Sequence, residues 1–131
     1  MHVLSRVRVK VLGLVSQRLK FPKPFSFVGP DASLSLVREI IGLGLKRVMV
    51  ITDKQLVQLG IMNPHIELLK EAGVEVGVFS EIEPDPGYEL VLEGVDRLKE
   101  FKPDAVLAVG GGSSIDGAKA ILLSHANDCH P

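Results

Sequence analysis

Up to Pro30 the sequence contains no aspartate and no glutamate, yet it carries six basic residues, Arg6, Arg8, Lys10, Arg18, Lys20 and Lys23. The remainder holds nine basic residues against all sixteen acidic ones, a net −7. The first segment is therefore distinct in composition from the rest of the chain. Over the whole chain the formal net charge is only −1, which excludes a general attraction to nucleic acid. Cys129 is the single cysteine, so no internal disulfide can form and a reducing, cytoplasmic compartment is the default. No apolar run is long enough to span a bilayer, and there is neither an internal repeat nor a low-complexity stretch.

The 131 residues suffice for one domain around one core. Apolar residues make up 46% and charged residues 24%, as in an ordinary soluble globular protein. From Phe25 onward, short β-branched runs alternate with longer helical patterns. Phe25–Val28 reads as a strand ended by Gly29-Pro30. Leu34, Val37, Ile40, Ile41 and Gly44 share one helical face, with Asp31 or Ser33 as N-cap. Arg47–Thr52 is a continuous apolar strand of the kind covered on both faces. Asn63-Pro64 opens the next helix and Gly73 closes it in a left-handed cap. Val74–Phe79 is a third strand, followed by a Pro84-Asp85-Pro86-Gly87 loop, and Val91, Val95, Leu98 and Phe101 mark a further helix face. Ala105–Val109 is another buried strand, and a last helix begins near Ser114. This alternation predicts a doubly wound, mostly parallel Rossmann-like α/β sheet with helices on both faces. The divisions are a basic segment at 1–24, the α/β domain at 25–123 and a tail at 124–131.

The clearest chemical signal is AVLAVGGGSSIDGAKA, residues 105–120. A strand delivers the chain to Gly110, Gly111 and Gly112, and a helix follows at once. The first amides of that helix have no acceptor within it and point, with the helix dipole, toward one spot. An anionic pyrophosphate fits there without any lysine. The competing reading is a tight turn in which the glycines only relieve crowding. Ser113 and Asp116 have the spacing of a capping box, and Lys119 is placed to pair with Asp116 across the surface. Asp53 follows the strand Arg47–Thr52. It either accepts hydrogen bonds from an adenosine ribose or caps a helix over Lys54–Leu59.

The run KRVMVITDKQLVQLGI (46–61), the Pro84-Asp85-Pro86 loop and PDAVLAVGGGSSIDGAKAI (103–121) occur in one order. Together they resemble the N-terminal nucleotide-binding domain of the iron-containing (group III) alcohol dehydrogenases. FSFVGPDAS (25–33) looks like that family's opening strand and glycine turn, except that Asp31 stands where a second glycine is frequent. The resemblance runs from about Phe21 to Leu123. It implies that Gly110, Gly111, Gly112 and Ser113 form the pyrophosphate loop and that Asp53 favours NAD over NADP. It further implies that Asp116 and Lys119 lie toward the cofactor cleft. The parent enzyme would pass hydride between NAD(H) and a primary alcohol or its aldehyde, with iron as Lewis acid. The helical domain that binds iron is expected beyond Pro131, so catalytic residues and iron ligands are expected to be absent here and this chain alone inactive. A homodimer is the expected assembly.

Among the histidines, His65 sits in a helix's first turn and is expected to face solvent. His125, Asp128, Cys129 and His130 cluster near the C-terminus, but their spacing fits no closed zinc pattern and reads as a frayed tail. Cys129 has no base or helix end to activate it. In the basic segment, residues 6–11 alternate as a strand would. Over residues 3–20 a helix does better, with Val3, Leu4, Val7, Val11, Leu12, Leu14, Val15 and Leu19 on one half of the wheel. Such a helix packs on its own protein or a dimer mate, rests on an anionic membrane surface, or is a mitochondrial presequence. Two other functional readings stay open. One is a non-catalytic nucleotide- or phosphate-binding module working through a partner. The other is a fragment of a glycerol dehydrogenase or dehydroquinate synthase relative.

Overall fold

The computed structural model describes residues 26–127. The basic segment at 3–20 and the cluster members Asp128, Cys129 and His130 lie outside the described residues. The elements run α1 (Ala32–Gly42), β1 (Arg47–Ile51), α2 (Lys54–Gln58), α3 (Asn63–Glu71), β2 (Glu75–Phe79), α4 (Tyr88–Phe101), β3 (Ala105–Ala108) and α5 (Gly112–Ala126). The three strands form one parallel sheet in the order β2-β1-β3. This is the doubly wound α/β architecture expected.

The central strand explains the two-sided fold. Successive side chains of a strand point to opposite faces, and β1 is apolar on both. Met49 and Ile51 enter a core with Val95 and Leu98 of α4 and Ala118 and Ile121 of α5. Val48 and Val50 enter a second core with Val37 of α1, Met62 at the N-cap of α3, Leu69 of α3, and Leu107 of β3. Ile121 and Leu69 are fully buried, each contributing about 1.5–3 kcal/mol relative to exposure. Gly94 lets α4 and α5 approach closely. A Cβ there would lie 2.7 Å from Ile121 Cγ1.

Asp104, at the foot of β3, ties that strand to β1. Its Oδ2 accepts the backbone amides of Lys46 at 2.8 Å and Arg47 at 2.9 Å. These bonds favour the carboxylate form and hold the Asp104 pKa below its ordinary value. A depressed folded-state pKa means stability that is complete above the ordinary carboxylate range and is lost as pH falls through the folded value. Asp104→Asn is expected to lower Tm at pH 7, and the gap from the parent should close as the pH approaches 3. Melting curves from pH 7 to 3 check this.

Several local expectations need correction. Residues 26–28 form no strand, and Val28 is 95% exposed. β-branched composition suits a strand only when a neighbouring strand supplies the ladder, and none lies beside it among the described residues. Asp31 occupies the N-cap position of α1 but is left-handed, with φ of 57°, and its side chain makes no cap bond. The final helix starts at Gly112, ahead of Ser114. It extends through Ala126, so His125 belongs to its last turn and not to a tail. Gly73 does close α3 with positive φ, its amide donating to the Lys70 carbonyl. Among the described residues, no helix is long and apolar enough to cross a membrane.

Candidate functional site: a crevice at the carboxyl ends of the strands

The order 2-1-3 determines where a ligand can enter. After β1 the chain leaves toward α3 on one face of the sheet. After β3 it leaves toward α5 on the other. The two loops diverge, and the crevice between them is the usual ligand position in an open parallel sheet. In this protein it measures about 360 Å³. The loop after β1 supplies Asp53, Lys54 and Gln55, and the loop after β3 supplies Gly111, Gly112, Ser113 and Ser114. Ile82, Glu83 and Pro84, following β2, close the third side. Gly117 of α5 leaves room for Ile82 on that side, since a Cβ there would lie 2.9 Å from Ile82 Cδ1 and push the end of that side chain aside.

The three glycines are not equivalent. Gly110 has φ of +140°, and a Cβ on it would run into the Ser114 hydroxyl and lie 2.6 Å from Ser114 Cβ. This glycine relieves crowding in a tight turn. Gly111 has φ of −80°, and neither Gly111 nor Gly112 has any atom within 4 Å of where a Cβ would stand. Neither glycine is required by its neighbours or, at Gly111, by its backbone dihedral. Their missing side chains leave open space over the N-terminus of α5, where no side chain caps the helix. The capping box read from Ser113 and Asp116 does not form. Asp116 instead takes Lys119 Nζ at 3.1 Å, both side chains well exposed.

Asp53 serves its helix and faces the crevice at once. Oδ1 accepts the Leu56 amide at 2.9 Å as the N-cap of α2. Oδ2 accepts the Ser114 hydroxyl at 3.4 Å. A carboxylate offers about four lone-pair sites, so acceptor capacity remains. Lys54 Nζ lies 2.6 Å from Glu81 Oε2. The Glu81 hydrogen bond and then its charge raise the Lys54 pKa, against a small opposing effect of burial.

Of the residues read from sequence, the fold brings Asp53, Gly111, Gly112 and Ser113 together around this crevice. Gly110 lines a neighbouring apolar pocket of about 250 Å³ instead. Asp116 and Lys119 line neither. His65 is only partly solvent-facing. The packing of α3 on α1 places its Nε2 2.9 Å from Ser33 Oγ, and its Nδ1 is buried without a protein partner. Among the described residues, no three His, Cys, Asp or Glu side chains converge where a metal could be held, so iron does not fit this part of the chain. Sequence reading missed Ser114, which is 3% exposed, and Gln55 and Ile82. Ser114 precedes the buried Ala118 and Ile121 by helical spacing, a signal that would have placed it on the inner face of α5.

Fold and crevice thus define a doubly wound, Rossmann-like α/β domain with an open cleft at the carboxyl ends of its strands. The Iron-containing alcohol dehydrogenase family matches residues 24–130, and the chain belongs to that family. It is 45% identical over 83 residues to the choline dehydrogenase of Bacillus subtilis (strain 168), covering 63% of this chain and 21% of that protein. It is 40% identical over 105 residues to the NADPH-dependent butanol dehydrogenase of Clostridium saccharobutylicum, covering 80% of this chain and 26% of that one. The structure superposes on the NADH-dependent butanol dehydrogenase A of Thermotoga maritima with a TM-score of 0.67 at 31% identity, covering 79% and 27% of the two chains. The chain thus spans about a quarter or less of the length of these relatives.

Proposed function

We propose that this domain binds the diphosphate-ribose portion of NAD(H), within a protein that passes hydride between NAD(H) and a primary alcohol or its aldehyde. The observation that carries the reading is the empty space over Gly111 and Gly112, at the N-terminus of a 15-residue helix. A diphosphate there would accept the amides of the first turn and lie at the positive end of the helix dipole. Asp53 Oδ2 would accept a ribose hydroxyl and repel a 2′-phosphate. Gly110 holds the turn without touching the ligand. Bound NAD would supply the hydride acceptor. This chain's described residues would bind and orient it.

One relative is named for NADH and another for NADPH, so the preference has to be measured. Titrating NAD and NADP into the ¹⁵N-labelled chain is expected to shift the amides of Gly111–Ser114 and Asp53, with NAD binding at least about tenfold tighter, near 1.4 kcal/mol. Equal affinities would remove Asp53 from the reading. No shift at these amides with either nucleotide would end it.

A further inference from the structure

Among the described residues, Lys54 is the one basic side chain lining the crevice, and it comes directly after Asp53 in the chain. Consecutive α-carbons lie about 3.8 Å apart, so a freely rotating lysine here commands the space around the Asp53 carboxylate. The Lys54 ammonium is drawn to Glu81 Oε2 at 2.6 Å, while the Ser80 hydroxyl donates to Glu81 Oε1 at 3.5 Å and steadies that carboxylate. Glu81 stands on the loop after β2, next to the crevice wall formed by Ile82 and Glu83. The remaining charges lining the site, Asp53 and Glu83, are negative, and Glu93 adds to the negative field at Lys54.

We propose that Glu81 is a positioning residue for nucleotide selectivity, holding Lys54 away from the place beside Asp53 where a ribose 2′-phosphate would stand. This rests on reading the crevice as a nucleotide site. The 2′-phosphate of NADP would then meet the Asp53 carboxylate with no cation to offset it. NAD, which carries a hydroxyl there, loses nothing by the arrangement. Asp53 disfavours the phosphate by repulsion, and Glu81 withholds the countercharge.

The test is calorimetric titration of NAD and NADP into the full chain, its Glu81→Gln and Lys54→Gln variants, and the double variant. Glu81→Gln is expected to tighten NADP about three- to tenfold and to change NAD less than about twofold, since one freed charge acts on a nearby dianion in partly screened solvent. On the Lys54→Gln background the same substitution is expected to have no selective effect. Glu81→Asp, which keeps a carboxylate within reach of Lys54, should return the parental preference. Tm should stay within about 3 °C of the parent throughout, because an exposed ion pair adds little to stability. A gain for NADP that persists without Lys54 would mean simple removal of a negative charge and would overturn the proposal. An unchanged ratio with NAD still bound would overturn the role of Glu81 alone. Binding of neither nucleotide by any of the five proteins would overturn the crevice reading as well.

Discussion

Gly112→Ala is expected to raise the melting temperature while weakening NAD by about tenfold or more, and Gly110→Ala is expected to unfold the domain well before its binding can be measured. The two residues lie two positions apart where β3 gives way to α5, so opposite outcomes would separate steric need from ligand need. At Gly112 an added methyl meets no atom within 4 Å, and alanine inside a helix is favoured over glycine by about 0.5–1 kcal/mol. The same methyl stands where the proposed diphosphate approaches the backbone. At Gly110 the methyl meets Ser114 and must adopt φ of +140°. Strain and overpacking together cost about 2–5 kcal/mol, and about 4–8 °C of Tm is lost per kcal/mol in a domain this size. Differential scanning fluorimetry on both variants, and nucleotide titration on Gly112→Ala, read these quantities. If Gly112→Ala binds NAD as well as the parent does, the open space over α5 holds something else.

The second large effect is expected at Asp53, where helix capping and nucleotide discrimination share one carboxylate. Asparagine caps a helix about as well as aspartate, so Asp53→Asn should leave Tm within about 2 °C of the parent. It removes the charge that faces the ribose, and the preference for NAD over NADP should fall about tenfold or more. Asp53→Ala removes both contributions. It should cost about 1 kcal/mol of stability through the lost bond to the Leu56 amide, as well as the preference. Comparing the two variants by thermal melting and by the ratio of the two affinities divides the cap from the site. A preference unchanged in both would assign Asp53 to the helix alone.

Legibility in the sequence tracked the range of the forces involved. The three strands of the sheet and α1 and α4 could be read because each buries a stripe or run whose period is local, as Val95 and Leu98 do on α4, whereas α3 was marked by Asn63-Pro64 and Gly73 at its ends. Gly73 was readable because a left-handed cap needs only its own backbone. Phe25–Val28 was misread because a strand is completed by a partner that composition does not reveal. The contact of His65 with Ser33 was hidden for a similar reason, since Ser33 reaches it only when α1 and α3 pack. The capping box failed because Gly111 takes the cap position itself, beginning the helix early and leaving Asp116 to Lys119. Within the site, Asp53 and the glycines announced themselves by residue type. The division of labour between Gly110 and the next two glycines did not, because it depends on where Ser114 lies in space.

Asp53 and Ser114 meet across a sequence separation of 61 residues, and everything between them belongs to the sheet or its crossovers. Neither wall of the crevice exists usefully until β3 has docked beside β1. A nucleotide held there would consequently be linked to the folding of the whole domain, not to a loop that orders locally. At a free concentration of about 100 times Kd it would add about 2.7 kcal/mol to global stability. Occupancy would also be a faithful report that the last strand of the sheet is in place.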